Sequence, residues 1–382
     1  MKITCVIKIV IVPIIIILLI TQSIVSIIRS ENEPSELRYQ LLWRDKAPIR
    51  CIAIGDVDST NHGQEIICGG DSKQILMISR YGRTWKTTTL ATMEGPIYFI
   101  GIGDINPLHP GDEIAFASGS NCGQCIYILE QYDDNWMLRY VPGTCGYGAL
   151  WGFRVGDYNT TNPGDEICLC WENPMDFADV HIHGFNGITW SDTQIYVGNM
   201  VVMDAPVGEF NASHPGNEII MFDEDGDYFQ LVQNGNKWET NMIWDPPMDW
   251  AGREAEIGDI DPDHPGNEIL VRTRYIPYLV LLSEDSNIWT TNILFNSTDI
   301  VADIAIADIT HIHNGNEIIA AVNKQIILIW KDPYNQHQQW ISCTHWISPS
   351  PITCFTPGDF DLYSPGIELV VADEENAIGK LI

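Results

Sequence analysis

One pattern returns seven times along this chain: Gly-Asp-x-Asp/Asn, a short spacer, then Pro-Gly-x-Glu-Ile, with small departures in some copies. The copies occupy residues 55–66, 103–114, 156–167, 208–219, 258–269, 307–318 and 358–369. A period of about fifty residues restricts the fold to a solenoid, a propeller or an open array. Each copy separates two apolar runs, as where Cys51-Ile52-Ala53-Ile54 precedes the first and Ile66-Ile67-Cys68 follows it. Apolar runs bounded by Gly, Pro, Asn and Asp read as strand, tight turn, strand. A third run follows, and a fourth segment opens on tryptophan at Trp85, Trp136, Trp190, Trp238, Trp289 and Trp340. Four antiparallel strands per unit build a propeller blade, so the expected fold is an all-β, seven-bladed β-propeller.

Unit seven ends at Ile382 before a fourth strand, while the segment from Leu37 through Trp43 to Ala47 precedes the first motif. It is therefore expected to supply the outer strand of blade seven, which removes the open edges of an incomplete ring. The propeller would then span residues 37–382. Before it, Lys2 and Lys8 flank the apolar run Ile9–Ile20, and Thr21 to Ser26 follow, so residues 1–28 read as a secretory signal. Apolar residues continue through Ile27 and Ile28 without an Ala-x-Ala site, which leaves an uncleaved membrane anchor as the alternative. The expected location is secreted or on the extracellular surface, with membrane contact only through that anchor.

Ten cysteines suit an oxidising compartment. Cys51 with Cys68 and Cys343 with Cys354 are candidate bridges, and Cys122 with Cys125 forms a local disulfide or a pair of buried thiols. Asn159, Asn211 and Asn296 head glycosylation sequons. The net charge of −31 disfavours nucleic acid as a partner.

The motif resembles the FG-GAP and VCBS-type repeats of integrin-like β-propellers, and the resemblance covers residues 37 to 382. It implies calcium bound by an Asp-x-Asp-x-Asp loop between the first two strands of a blade. Calcium takes six to eight oxygen ligands. Only unit five, with Asp259, Asp261, Asp263 and Glu268, offers a full acidic set, so a structural calcium ion is expected there. The corresponding fifth loop position elsewhere is Thr60, Leu108, Thr161, Ser213, Ile312 or Tyr363. In those units the Asp or Asn is expected to close an Asx-turn and the Glu to tie the loop.

Counting back from each motif glycine gives a register, because side chains alternate along a strand. The preceding residue is apolar throughout or proline, and packs. Residues two and four before the glycine face the central channel. Asp204, Glu254, Glu256 and Asp303 are thereby aimed at one side of it, with Arg154 nearby. Trp151, Trp250 and Arg253 lie at the inter-blade loops of the same rim, as do Tyr147, Trp244, Met248 and Trp346. Carboxylates beside aromatics suit a carbohydrate or a basic peptide. The pairs His181-x-His183 and His311-x-His313 put their side chains on one face, but no further metal ligands are readable, so exposed histidines are expected.

The chain lacks the Gly-x-Ser-x-Gly nucleophile turn and a phosphate-binding glycine loop. The leading expectation is a non-catalytic module recognising a glycan or an extracellular protein through the inter-blade loop face. The alternatives are a carbohydrate lyase or hydrolase using the channel carboxylates as acid and base, and a structural surface protein.

Overall fold

A computed structural model describes residues 38–381, apart from 121–122, 134, 146–147, 173–177, 212–215, 236, 248–249, 265, 286–287, 311–314, 332–339 and 365. The leader (residues 1–28), Cys122, Tyr147, Met248, His311 and His313 fall outside the described residues. The strands form seven antiparallel sheets. Blade one runs Ile49–Gly55, Glu65–Gly70, Gln74–Tyr81 and Thr84–Thr92 from channel to rim, and the next five follow its order. In blade four the inner strand is split into Val202–Asp204 and Val207–Gly208 around Pro206, which has no N–H for the ladder. Blade seven is Ile352–Gly358, Glu368–Asp373 and Ala377–Leu381, completed by Tyr39–Arg44 from the other end of the chain. The ring closes as the sequence predicts, with Tyr39 opposite Leu381 and Arg44 opposite Ala377.

The core lies between blades rather than at the centre of the ring. Seven clusters of buried apolar side chains each draw on two adjacent blades. Their composition explains the motif. Its third residue, as in Val57, Ile105, Tyr158, Phe210, Ile260, Ile309 and Phe360, packs into the seam with the following blade. The tryptophan of that blade's outer strand packs against it at two seams, Trp289 on Phe210 and Trp85 on Phe360. Burying these rings removes large apolar areas from water.

The polar positions of the motif make two kinds of bond. Within a unit, the buried Glu accepts from two successive backbone N–H groups: Glu65 Oε2 from Val57 (3.2 Å) and Asp58 (3.1 Å), and Glu268 Oε2 from Ile260 (2.8 Å) and Asp261 (3.0 Å). The Asp or Asn closes an Asx-turn, as where Asn159 Oδ1 accepts from Thr161 N at 3.2 Å. The motif glycine from Gly63 to Gly366 has φ between +89° and +126°, a region that side chains avoid. Between units, the variable residue before the Glu reaches back to the preceding motif. Asn217 Nδ2 donates to Asp157 O, Asn267 Nδ2 to Glu209 O and Asn316 Nδ2 to Asp259 O, each at 2.8–2.9 Å. Gln64 Oε1 accepts from Asp359 N at 3.1 Å across the closure. The repeat therefore stitches blade to blade as well as folding each turn.

Two expected bridges are absent. Cys51 pairs with Gly69, and Cys68 with Ile52, so alternation sends the two thiols to opposite faces of blade one. Cys343 lies on the outer strand of blade six and Cys354 on the inner strand of blade seven; both are free thiols. Cys125 instead bridges Cys145 beyond the outer strand of blade two.

Candidate ligand-binding site at the channel mouth

All seven residues four before the motif glycine, among them Asp204, Glu254 and Asp303, line one cavity of about 640 Å³ at the channel. Of those two before it, Arg154, Glu256, Ala305 and Thr356 also line it. Ala53, Gly101 and Pro206 do not line it, and Ile306 and Pro357, expected to pack, do, so the lining follows the expected alternation only in part. A further ring of residues joins them. In every blade the pairing of the inner and second strands slips by one residue, between 49 and 51, 97 and 99, 150 and 152, 202 and 204, 252 and 254, 301 and 303, and 352 and 354. A bulge leaves one residue unpaired and re-aims its side chain. Those residues are Arg50, Tyr98, Trp151, Met203, Arg253, Ala302 and Thr353, and all line the cavity.

The channel carboxylates are occupied. Arg154 donates through Nε to Asp204 Oδ1 (2.9 Å) and through Nη2 to Asp204 Oδ2 (2.7 Å), a fork that matches a carboxylate. Its Nη1 reaches Glu256 Oε1 at 2.9 Å. One guanidinium from blade three thus joins blades four and five. Glu254 Oε2 accepts from Arg272 Nε at 2.6 Å. Asp303 accepts from the N–H of Ile304 (3.0 Å) and of Phe355 in blade seven (2.7 Å). Burial pushes the Asp303 carboxyl well up, and the Glu254 charge adds to the rise. Burial also raises Glu256, opposed by Arg154. Burial works against charge on Arg154, yet Asp204 and Glu256 hold it firmly protonated.

Arg253 differs from its neighbours. It is half-buried at the mouth and has no hydrogen-bond or ion-pair partner among the described residues. Burial lowers its affinity for its proton, and the guanidinium groups of Arg272 and Arg274 push in the same direction, while the Glu254 and Asp204 charges oppose them. Arg272 comes from the second strand of blade five, directly opposite Glu254. Sequence reasoning missed it because only inner strands were counted. Arg50 was missed for want of the bulge; it is held by Asp71 at 2.5 Å.

The rim aromatics are engaged. Trp151 Nε1 donates to Glu172 Oε2 at 2.8 Å, and Arg274 lies over its ring. Trp250 meets Trp244 edge-on at 6.0 Å and Tyr278 at 5.3 Å. Trp346 stacks on Tyr39 at 5.2 Å.

At the acidic loop of blade five, the Lys331 ammonium from the third strand of blade six lies 2.5 Å from Asp261 Oδ1 and 2.8 Å from Asp263 Oδ2. His264 Nδ1 is 2.8 Å from Glu268 Oε1. Asp259 gives its carbonyl to Asn316. Two of the four side chains expected to ligate calcium, Asp261 and Asp263, thus hold a protein cation that an ion there would have to displace. Arg80 and Lys380 reach Asp361 of blade seven in the same way, and Gln131 Nε2 reaches Asp58 of blade one at 2.8 Å.

No known sequence family matches the chain, and neither does any curated protein. Among solved structures, 493 chains resemble its fold. One is described as a crystal structure of BBS1N in complex with ARL6DN, soaked with lead; it shares 11% identity, covers 91% of this chain and 96% of its own, and superposes with a TM-score of 0.59. At that identity the likeness establishes the β-propeller fold.

Proposed function

We propose that the chain is a non-catalytic binding and scaffold module whose channel mouth takes an acidic group of a protein partner. Arg253 carries this reading. A guanidinium has five N–H donors in a fixed fork, and here it is presented unpaired beside two further arginines. A carboxylate placed there would satisfy its donors and relieve the repulsion. The acid–base reading finds less support, because Arg154, Arg272 and backbone N–H groups already occupy Asp204, Glu254, Glu256 and Asp303. A glycan would stack on an open aromatic face, whereas Trp250 is spent on Trp244 and Tyr278. The BBS1N structure is that of a propeller in complex with another protein, which is in keeping with this use of the fold. The Cys125–Cys145 bridge accords with passage through an oxidising compartment, for which the N-terminal segment would be the signal. Asn296, exposed at the end of an outer strand, is then the sequon best placed for glycosylation.

The test is to probe arrays of acidic peptides, basic peptides and glycans with the labelled chain while assaying the glycans for cleavage. Binding to acidic peptides that is lost in Arg253→Gln supports the proposal. Sugar turnover, or binding confined to glycans or basic peptides, overturns it.

A further inference from the structure

The third strand of blade three, Ala178–Phe185, carries His181 and His183 on one face, and the outer strand Trp190–Gly198 sets Asp192 directly opposite His183. The sequence offered the two histidines without a third ligand; strand pairing supplies it. One ligand atom from each residue lies within 4.8 Å of the other two. His181 Nδ1 is 2.7 Å from Asp192 Oδ1, and His183 Nε2 is 3.8 Å from the same oxygen.

We infer that His181, His183 and Asp192 form a binding site for a zinc-class divalent cation on the face of blade three turned toward blade two. Two ligands at about 2.0–2.1 Å from a tetrahedral zinc are roughly 3.3 Å apart. The 3.8 Å gap between His183 Nε2 and Asp192 Oδ1 is a little wider than that, whereas the 2.7 Å contact of His181 Nδ1 with Asp192 Oδ1 is a hydrogen bond that an ion would have to replace. His183 is 2% exposed, and the nitrogen that faces Asp192 is its Nε2. Trp171 and Gly143 wall the site, while the Asp192 side chain is 47% exposed. A bound ion would therefore keep one or two positions open to water or to an incoming ligand. Imidazole nitrogen with carboxylate oxygen suits zinc, cobalt or nickel rather than calcium or magnesium.

The experiment uses the full chain without a histidine tag, stripped with EDTA, titrated with zinc chloride by calorimetry and with cobalt chloride by visible absorption. One equivalent of zinc per chain is expected, with cobalt d–d bands of a four- or five-coordinate site. The double variant His181→Ala/Asp192→Asn changes the two more accessible ligands, and circular dichroism checks that it folds. It should bind at least roughly 10- to 100-fold more weakly. The variant His311→Ala/His313→Ala should bind as the wild type does. Absence of one-equivalent binding, unchanged binding in the first variant, or loss in the second would overturn the inference.

Discussion

Replacing Glu113 with glutamine isolates the motif glutamate as a titrating tie. Glu113 is fully buried. It accepts from Asn106 N at 2.7 Å, and its Oε1 faces His109 Nδ1 at 3.4 Å without a hydrogen bond. Burial pushes the carboxyl from its ordinary 4.5 up to about 8; the Asn106 N–H opposes the rise and the Glu130 charge adds to it. Between those values the folded chain keeps a proton that the unfolded chain has released. Stability from this group is therefore full below about 4.5 and is lost as pH rises through about 8. At about 1.4 kcal/mol per pH unit, the wild type should lose on the order of 3 kcal/mol through this group between about pH 5 and pH 8. Glutamine keeps an oxygen for the N–H bonds and cannot ionise. Urea unfolding followed by tryptophan fluorescence should show Glu113→Gln losing less stability over that interval, by about that amount. Superimposable pH profiles for the two proteins would refute the reasoning.

Arg154→Met leaves Asp204 and Glu256 without their shared cation and should cost about 3 kcal/mol in thermal or urea unfolding. Adding Asp204→Asn and Glu256→Gln should recover most of that loss. Lys331→Ala frees Asp261 and Asp263; we expect millimolar calcium to raise the melting temperature of this variant while leaving the wild type unmoved, as read by scanning calorimetry with and without chelator. Reducing the Cys125–Cys145 bridge should lower stability by about 3 kcal/mol, the effect of opening a loop of that size, measured by unfolding with and without dithiothreitol.

Blade number, strand order and closure were legible because the motif repeats and the leftover segment around Trp43 had one place to go. Part of the channel lining was legible for the same reason: counting back from a fixed glycine finds Asp204, Glu254 and Asp303 without coordinates, though Ile306 and Pro357, read as packed, line the cavity too. Alternation also concealed the bulge, since one extra residue per inner strand shows no signature in composition. Arg253 was therefore read as a loop residue, and Arg50 was passed over. Residues brought in by cross-strand pairing, such as Arg272 opposite Glu254 and Asp192 opposite His183, need a strand register that a single sequence does not provide. The same holds for Lys331, which enters the acidic loop of blade five from the next blade. Read alone, that loop presented four acidic groups and no cation.

The most direct test of the account is isothermal calorimetry of acidic and lysine-rich decapeptides against the wild-type chain and Arg253→Gln, at low and raised salt. The account predicts that the acidic peptide binds the wild type, weakens as salt screens the charges, and loses at least about tenfold in affinity, or roughly 1.4 kcal/mol, in Arg253→Gln. Equal affinity of the two proteins for the acidic peptide, or a preference of the wild type for the lysine-rich one, would contradict it.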